Sequence, residues 1–334
     1  MNGKKILLVG NSYPLALYFS KICDKVYVAP GNKQISEVAE CVDIREDEPT
    51  ELLGFVLEND IDLTVAISDK SISSDIASVF QANEKLIFAP TANSAEFALY
   101  KSQGKRFLYK LRIPTPKFGI FEKSQLAVDY LKSASYPIVV SADKNGSEKF
   151  FCNTLTRAKF HIEDMFVCGE KTVVLQDFVF GHEFSMYFVT DGYHALPLAS
   201  VYNFKFSDNG DGGILTNGVG AYVPDYKLSF EVQQKVFNDV ILKGINALEQ
   251  KGSAYVGIIA VDGVYNGEEF SVLNFRPFMT DVDCQSILSV VDENLYDLFE
   301  ACANGFFADE YEDILTNDNV SVSCLFKPKE KIDN

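Results

Sequence analysis

Lys5-Ile6-Leu7-Leu8-Val9-Gly10-Asn11 opens the chain with an aliphatic run that stops at a glycine. A run this short, apolar throughout and closed by a residue free to turn, reads as a strand buried on both faces. Similar runs return at 26–29, 62–67 and 86–88, with amphipathic stretches at 15–22, 49–57 and 72–80 between them. Strand and helix in alternation predict a doubly wound parallel sheet. The turn Gly10-Asn11-Ser12 lacks the G-x-G-x-x-G spacing of a dinucleotide site. It is either a phosphate-binding turn or only the place where the chain reverses.

Ala89-Pro90-Thr91 closes this unit, and a helix is expected next, with Asn93 as N-cap and Glu96 at its third position. Phe97, Tyr100, Gly104, Phe107, Leu108 and Leu111 form its apolar stripe, and Pro114 and Pro116 end it. Lys101 and Lys105, four residues apart, share one side of that helix. They either hold an anion between them or belong to a solvated face. A small α/β segment follows over 118–184, with a strand at 137–140, a polar turn at 143–149 and a strand at 172–178. The third segment carries strands at 185–190 and 195–201, a glycine-rich loop at 210–220, a helix over 229–250, and strands at 255–261 and 270–273. After Phe306 the chain turns acidic and loop-like, with a strand at 320–326.

Across 334 residues, 47% are hydrophobic and 23% charged, a globular composition with enough apolar residues for sizeable cores. Acidic residues outnumber basic ones 47 to 30, giving a net charge of −17. That field opposes any broad polyanion-binding surface, so nucleic acid and anionic membrane are excluded as expected partners. The start lacks the apolar core of a signal peptide and no apolar run reaches the roughly 18 residues of a membrane span, so a cytoplasmic location is expected. Seven scattered cysteines without a C-x-x-C pair are expected to be reduced and mostly buried.

Several strings resemble, in their order, the ATP-grasp superfamily, and within it the phosphoribosylamine-glycine ligase family. They are the opening run, Val28-Ala29-Pro30-Gly31-Asn32, Asp62-Leu63-Thr64, Phe88-Ala89-Pro90-Thr91, Lys101 with Lys105, Ile113-Pro114-Thr115, Tyr136-Pro137-Ile138-Val139, Gly181-His182-Glu183, Gly218-Val219-Gly220-Ala221-Tyr222, Tyr255-Val256-Gly257 and Asn274-Phe275-Arg276. The resemblance implies a Rossmann-like pre-ATP-grasp domain over 1–92, a linker helix over 93–117, small and large ATP-grasp subdomains over 118–184 and 185–320, and a tail over 321–334. It implies ATP and Mg²⁺ as cofactors and an acyl phosphate formed on a carboxylate before an amine attacks. By position it assigns Lys101, Gln176, Asp177, Phe178, Val179 and Glu183 to the nucleotide, Gly10 and Asn11 to substrate, Asn274 to the metal and Arg276 to a phosphate as the catalytic contact. Asp262, five residues past Gly257, is either a second metal ligand or a turn residue.

The departures bear on activity. Ser141 stands where the family has a second phosphate lysine, and Lys144, Glu148 and Lys149 crowd a turn that is glycine-rich in the family. Lys144 or Lys149 would partly replace the missing cation, and Glu148 would oppose it. Val272 replaces a metal-binding Glu, and a Glu there is expected to stand beside Asn274 as a second ligand. Tyr13 to Leu17 lack the charged residues that hold phosphoribosylamine, and the string from Asn203 to Phe206 is also altered. The chain ends where the family begins a further domain of roughly a hundred residues. The expectation is a diverged homologue with reduced or absent ligase activity on a small acid and amine. The alternatives are an active ligase on the family substrates or on other ones, and a non-catalytic subunit that binds a nucleotide or a protein partner.

Overall fold

The computed structural model describes residues 3–144, 149–208 and 212–326. Strand β1 (Lys5–Val9) forms the centre of a five-stranded parallel sheet with β2 (Lys25–Ala29), β3 (Glu40–Cys41), β4 (Leu63–Ala66) and β5 (Ile87–Phe88), in the order β3-β2-β1-β4-β5. Its apolar run is explained by burial on both faces. Leu7 and Val9 enter one core with Leu52, Val56 and Phe80, while Ile6 and Leu8 enter another with Leu15 and Phe19. Helix α1 (Tyr13–Phe19) starts two residues earlier than predicted because Pro14 fits a first turn, and α2 (Pro49–Asn59) also opens on proline. The single helix predicted over 72–80 is two, α3 (Asp69–Ser73) and α4 (Ile76–Gln81). Asp75 breaks them apart with φ 58°, and its carboxylate accepts the Ala92 N–H at 2.8 Å.

The linker is also two helices, α5 (Ala92–Leu99) and α6 (Lys101–Lys110). Thr91, not Asn93, caps α5, accepting the Ser94 N–H at 3.2 Å, and Asn93 instead donates to Ser253 Oγ at 3.0 Å. Tyr100 is extended at φ −124° and separates the two helices. Next, β6 (Phe118–Phe121), β7 (Ile138–Ala142), β8 (Lys149–Cys152) and β9 (Val173–Asp177) form an antiparallel sheet in the order β6-β9-β7-β8. Helices α7 (Ser124–Leu131) and α8 (Leu155–Val167) cover one face, burying Ile138 and Val140 with Leu131, Ile162 and Met165. Strand alternation therefore turns Val139 and Ser141 to the other face.

The third sheet has six antiparallel strands in the order β14-β13-β10-β11-β12-β15. They are β10 (His182–Asp191), β11 (Ala195–Asp208), β12 (Gly212–Val223), β13 (Val256–Tyr265), β14 (Phe270–Arg276) and β15 (Ser321–Cys324). The glycine-rich loop predicted over 210–220 is mostly β12, because its backbone pairs with β11; Gly210 itself lies outside the described residues, as does Glu148. The segment assigned to a tail begins with β15, the edge strand paired to β12. The helix predicted over 229–250 is α9 (Phe230–Val236), a π-helical turn (Phe237–Leu242) and α10 (Lys243–Glu249). Helices α11 (Asp281–Ile287) and α12 (Leu295–Asn304) pack this sheet onto the first one, where Phe299 stacks on Phe88 at 4.2 Å. The first and third sheets thus share two cores, and the small sheet has its own.

All seven cysteines are free, but only Cys152, Cys284 and Cys302 are buried; Cys168 and Cys324 are exposed, against the expectation of mostly buried thiols. Among the described residues no helix is long and apolar enough to cross a membrane.

Candidate functional site

Helix α6 brings the first two cations to the face of the small sheet. Its N-terminus is capped from another element: Asp143, just past β7, accepts the Ser102 N–H at 2.7 Å and the Ser102 hydroxyl at 3.0 Å. A carboxylate there also suits the positive end of the helix. Lys101 Nζ donates to the Ala142 carbonyl at 3.0 Å. One turn on, Lys105 Nζ donates to Thr115 Oγ1 at 2.8 Å, and that hydroxyl donates to the Val272 carbonyl at 2.8 Å. Lys105 is only 3% exposed, and burial pushes its ammonium down to about 7 and that of Lys101 to about 8. The two lysines do not belong to a solvated face.

Across the cleft, Ser141 on β7 pairs in register with Lys149 on β8. Paired residues of an antiparallel ladder lie on the same face with their Cβ atoms roughly 5 Å apart. Ser141, Lys149, Val139, Val174 and Gln176 consequently line one small inner cavity, of about 90 Å³, together with Lys101, Lys105, Lys205, Asp262, Leu273 and Asn274. Lys144, the other candidate replacement cation, is exposed and does not line it. Burial lowers the Lys149 ammonium, Lys205 lowers it further, and Glu183 opposes both. Lys205 on β11 donates to Glu183 Oε2 at 2.9 Å; burial would raise the Glu183 carboxyl, but Lys205 and Lys149 hold it below the usual range.

An outer cavity of about 880 Å³ adjoins the inner one, with Lys149 and Lys205 lining both. Phe151, Phe178, Phe206 and Tyr202 give it aromatic walls, and Val179 and Glu183 also line it. Of the residues assigned to a nucleotide, Gln176 thus faces the inner cavity, and Phe178, Val179 and Glu183 face the outer one. Asp177 lines neither and its N–H donates to the Lys117 carbonyl at 2.9 Å. Gly10 and Asn11 also line neither. Gly10, at φ +114°, sits so close to Ser68 and Ile67 that a Cβ would come within 3.0 Å of the Ser68 side chain.

Of the residues expected at a metal, Asn274 lines the inner cavity, but position 272 does not stand beside it. Strands β13 and β14 pair Asp262 with Asn274 and then Gly263 with Val272, so Leu273 is an extra, bulged residue. Leu273 and Asn274 both line the inner cavity, whereas Val272 is fully buried in the core. A Glu at 272 would point into that core and not stand beside Asn274. Asp262 is not available either. Arg276 Nε donates to its Oδ2 at 2.9 Å, Arg276 Nη2 to its Oδ1 at 2.8 Å, and Ser185 Oγ to the same Oδ1 at 2.6 Å. Burial alone would raise the Asp262 carboxyl, but Arg276 and Lys205 hold it well below the usual carboxylate range. Among the described residues no three His, Cys, Asp or Glu side chains converge. With Asp262 taken by Arg276, the inner cavity wall lacks the free carboxylate that helps to hold Mg²⁺ on a nucleotide, so these residues do not fit that ion.

Arg276 is equally enclosed. Besides Asp262, it approaches Asp283 Oδ2 at 3.6 Å, and Asp283 in turn accepts the Tyr187 hydroxyl and Asn203 Nδ2, each at 2.5 Å. Ser185, Tyr187 and Asp283 belong to none of the strings quoted from the sequence, and Thr115 only ends one of them; each acquires its role through contacts between separate elements. The position of Lys149 opposite Ser141 was accessible as hairpin arithmetic across the polar turn.

Sequence comparison matches the N domain of phosphoribosylglycinamide synthetase to residues 4–97 and its ATP-grasp (A) domain to residues 100–284. The phosphoribosylamine–glycine ligase of Caldanaerobacter subterraneus is 29% identical over 293 residues, covering 84% of this chain and 69% of that protein. The enzyme of the same name from Neisseria meningitidis serogroup B is 29% identical over 315 residues, covering 90% of this chain and 74% of that one. Among solved structures, phosphoribosylamine–glycine ligase from Thermotoga maritima superposes with a TM-score of 0.82 at 20% identity, over 96% of this chain and 79% of that chain. Biotin carboxylase from Campylobacter jejuni, solved as a β-γ-ATP complex, superposes with a TM-score of 0.72 at 13% identity, over 97% of this chain and 75% of that chain.

Proposed function

Because this chain belongs to the phosphoribosylglycinamide synthetase family and carries its N and ATP-grasp domains, we propose that its cleft takes an adenine nucleotide while its ligase activity on the family substrates is reduced or lost. The inner cavity receives the phosphates, where Lys101, Lys105 and Lys149 supply charge. The outer cavity receives the nucleoside, between the aromatic walls and near Val179 and Glu183.

The observation that carries the loss of activity is the bidentate pair between Asp262 and Arg276. Phosphoryl transfer to a carboxylate asks little covalent chemistry of the protein and depends on fixed positive charge at the transferring group. Arg276 is the residue that the family resemblance assigns to that charge, and here a carboxylate of the same chain already neutralises it. Ser141 and Val272 compound the effect, since neither side chain can carry charge. Loss of preorganised charge costs on the order of 10²–10³ in rate per group. Gly10 and Asn11 line neither of these two cavities, and a substrate held there would sit outside both.

The test is formation of glycinamide ribonucleotide from glycine, phosphoribosylamine and ATP by the full chain. Turnover at least a hundredfold below the ordinary range of about 1–10³ s⁻¹ is expected; a rate inside that range overturns the reading.

A further inference from the structure

Three lysines face the inner cavity with no carboxylate in ion-pair contact among the described residues. Among the described residues Lys101, Lys105 and Lys149 form no ion pair, whereas Lys205 is balanced by Glu183 and Arg276 by Asp262. The chain as a whole carries −17. Unpaired positive charge buried in an acidic protein is costly unless an anion offsets it. The same wall offers a divalent cation no free carboxylate: Val272 is turned into the core, and Asp262 is saturated by Arg276 and Ser185. A metal carried in on the phosphates would also be repelled by Lys149, which lines both cavities.

We infer that this cleft takes its nucleotide as the metal-free polyphosphate, with the ammonium group of Lys149, beside those of Lys101 and Lys105, standing in for the divalent cation. The inference rests on the nucleotide reading of the cleft and adds the form in which the ligand is bound. Lys149 holds this position because the β7–β8 register places it across from Ser141, so the cation missing from β7 returns from the neighbouring strand. Charge-assisted hydrogen bonds from ammonium to phosphate oxygen then perform the neutralisation that an ion would otherwise supply. The ligand class is a nucleoside polyphosphate and not phosphate alone, because Lys149 also lines the outer cavity with its aromatic walls.

The test is calorimetric titration of the full chain with ATP, once in EDTA and once in excess Mg²⁺. Binding in EDTA is expected to be about tenfold tighter or more, the worth of one charge-assisted hydrogen bond. Lys149→Met should weaken binding in EDTA by a similar factor and narrow the gap between the two conditions. Lys149→Arg should restore the gap, which separates loss of a cation from loss of structure. Binding that requires Mg²⁺, or equal affinity in the two conditions, overturns the inference and leaves the nucleotide reading standing. Absence of binding in both conditions overturns the nucleotide reading itself. Inorganic tripolyphosphate binding as tightly as ATP would overturn the assignment of a nucleoside.

Discussion

Ser141 and Lys149 are register partners across the β7–β8 ladder, and together they face the cavity into which Lys101 and Lys105 also turn. Exchanging these two partners should preserve the charge of the cleft, but doubling the lysine should not. Ser141→Lys alone sets two ammonium groups side by side in a desolvated site and is expected to lower stability by about 0.5–1 kcal/mol. Adding Lys149→Ser should recover most of that loss. Urea unfolding of the parent, the single variant and the exchanged double variant measures both effects. A double variant no more stable than Ser141→Lys would contradict the pairing.

Lys105 should make stability rise with pH. Its folded-state value of about 7 lies below the ordinary lysine value near 10.5, so between these limits the unfolded chain holds a proton that the folded chain has released. Stability therefore increases as pH rises from about 7 toward 10, with Lys101 contributing in the same direction. Lys105→Met conserves the bulk and removes the buried charge. It is expected to be more stable than the parent at pH 6 by about 1–3 kcal/mol, with a flatter pH profile. Thermal melts at several pH values test this, and an unchanged slope would rule it out.

Asp262→Asn should separate stability from binding. Removing one partner of a buried ion pair leaves the Arg276 charge facing only Asp283, a loss of roughly 3–5 kcal/mol. The freed guanidinium then becomes available to a phosphate, so a variant that melts earlier is expected to bind ATP more tightly. The parent's carboxyl is depressed when folded, so its stabilisation is present at neutral pH and is lost on acidification; the variant should lack that part of the acid sensitivity. Calorimetry and melting on the same preparation decide the matter, and weaker ATP binding would count against Arg276 as the recipient.

Val272→Glu should not build a metal site. Its side chain would enter a core shared with Phe275 and Phe97, where an unpaired carboxylate has no partner. A loss exceeding about 3 kcal/mol is expected, without any gain in Mg²⁺ affinity. A stable variant that binds Mg²⁺ would show that Val272 faces the cleft.

Local pattern alone determined much of the architecture. The apolar run of β1, the proline-opened helix α2 and the alternation through β5 are written in periodicity, because a strand buried on both faces and an amphipathic helix each leave a signature within a few residues. Lys101 and Lys105 were likewise legible as a pair on one helix side, since spacing of four is a local property. Tertiary structure decided what the pair faces. The cap from Asp143 that starts α6 at Lys101, the bulge at Leu273 that turns Val272 inward, and the capture of Arg276 by Asp262 all join residues distant in the chain. In a sheet whose side chains alternate between two faces, one extra residue reverses which side chain meets the cleft, and no local pattern records that residue.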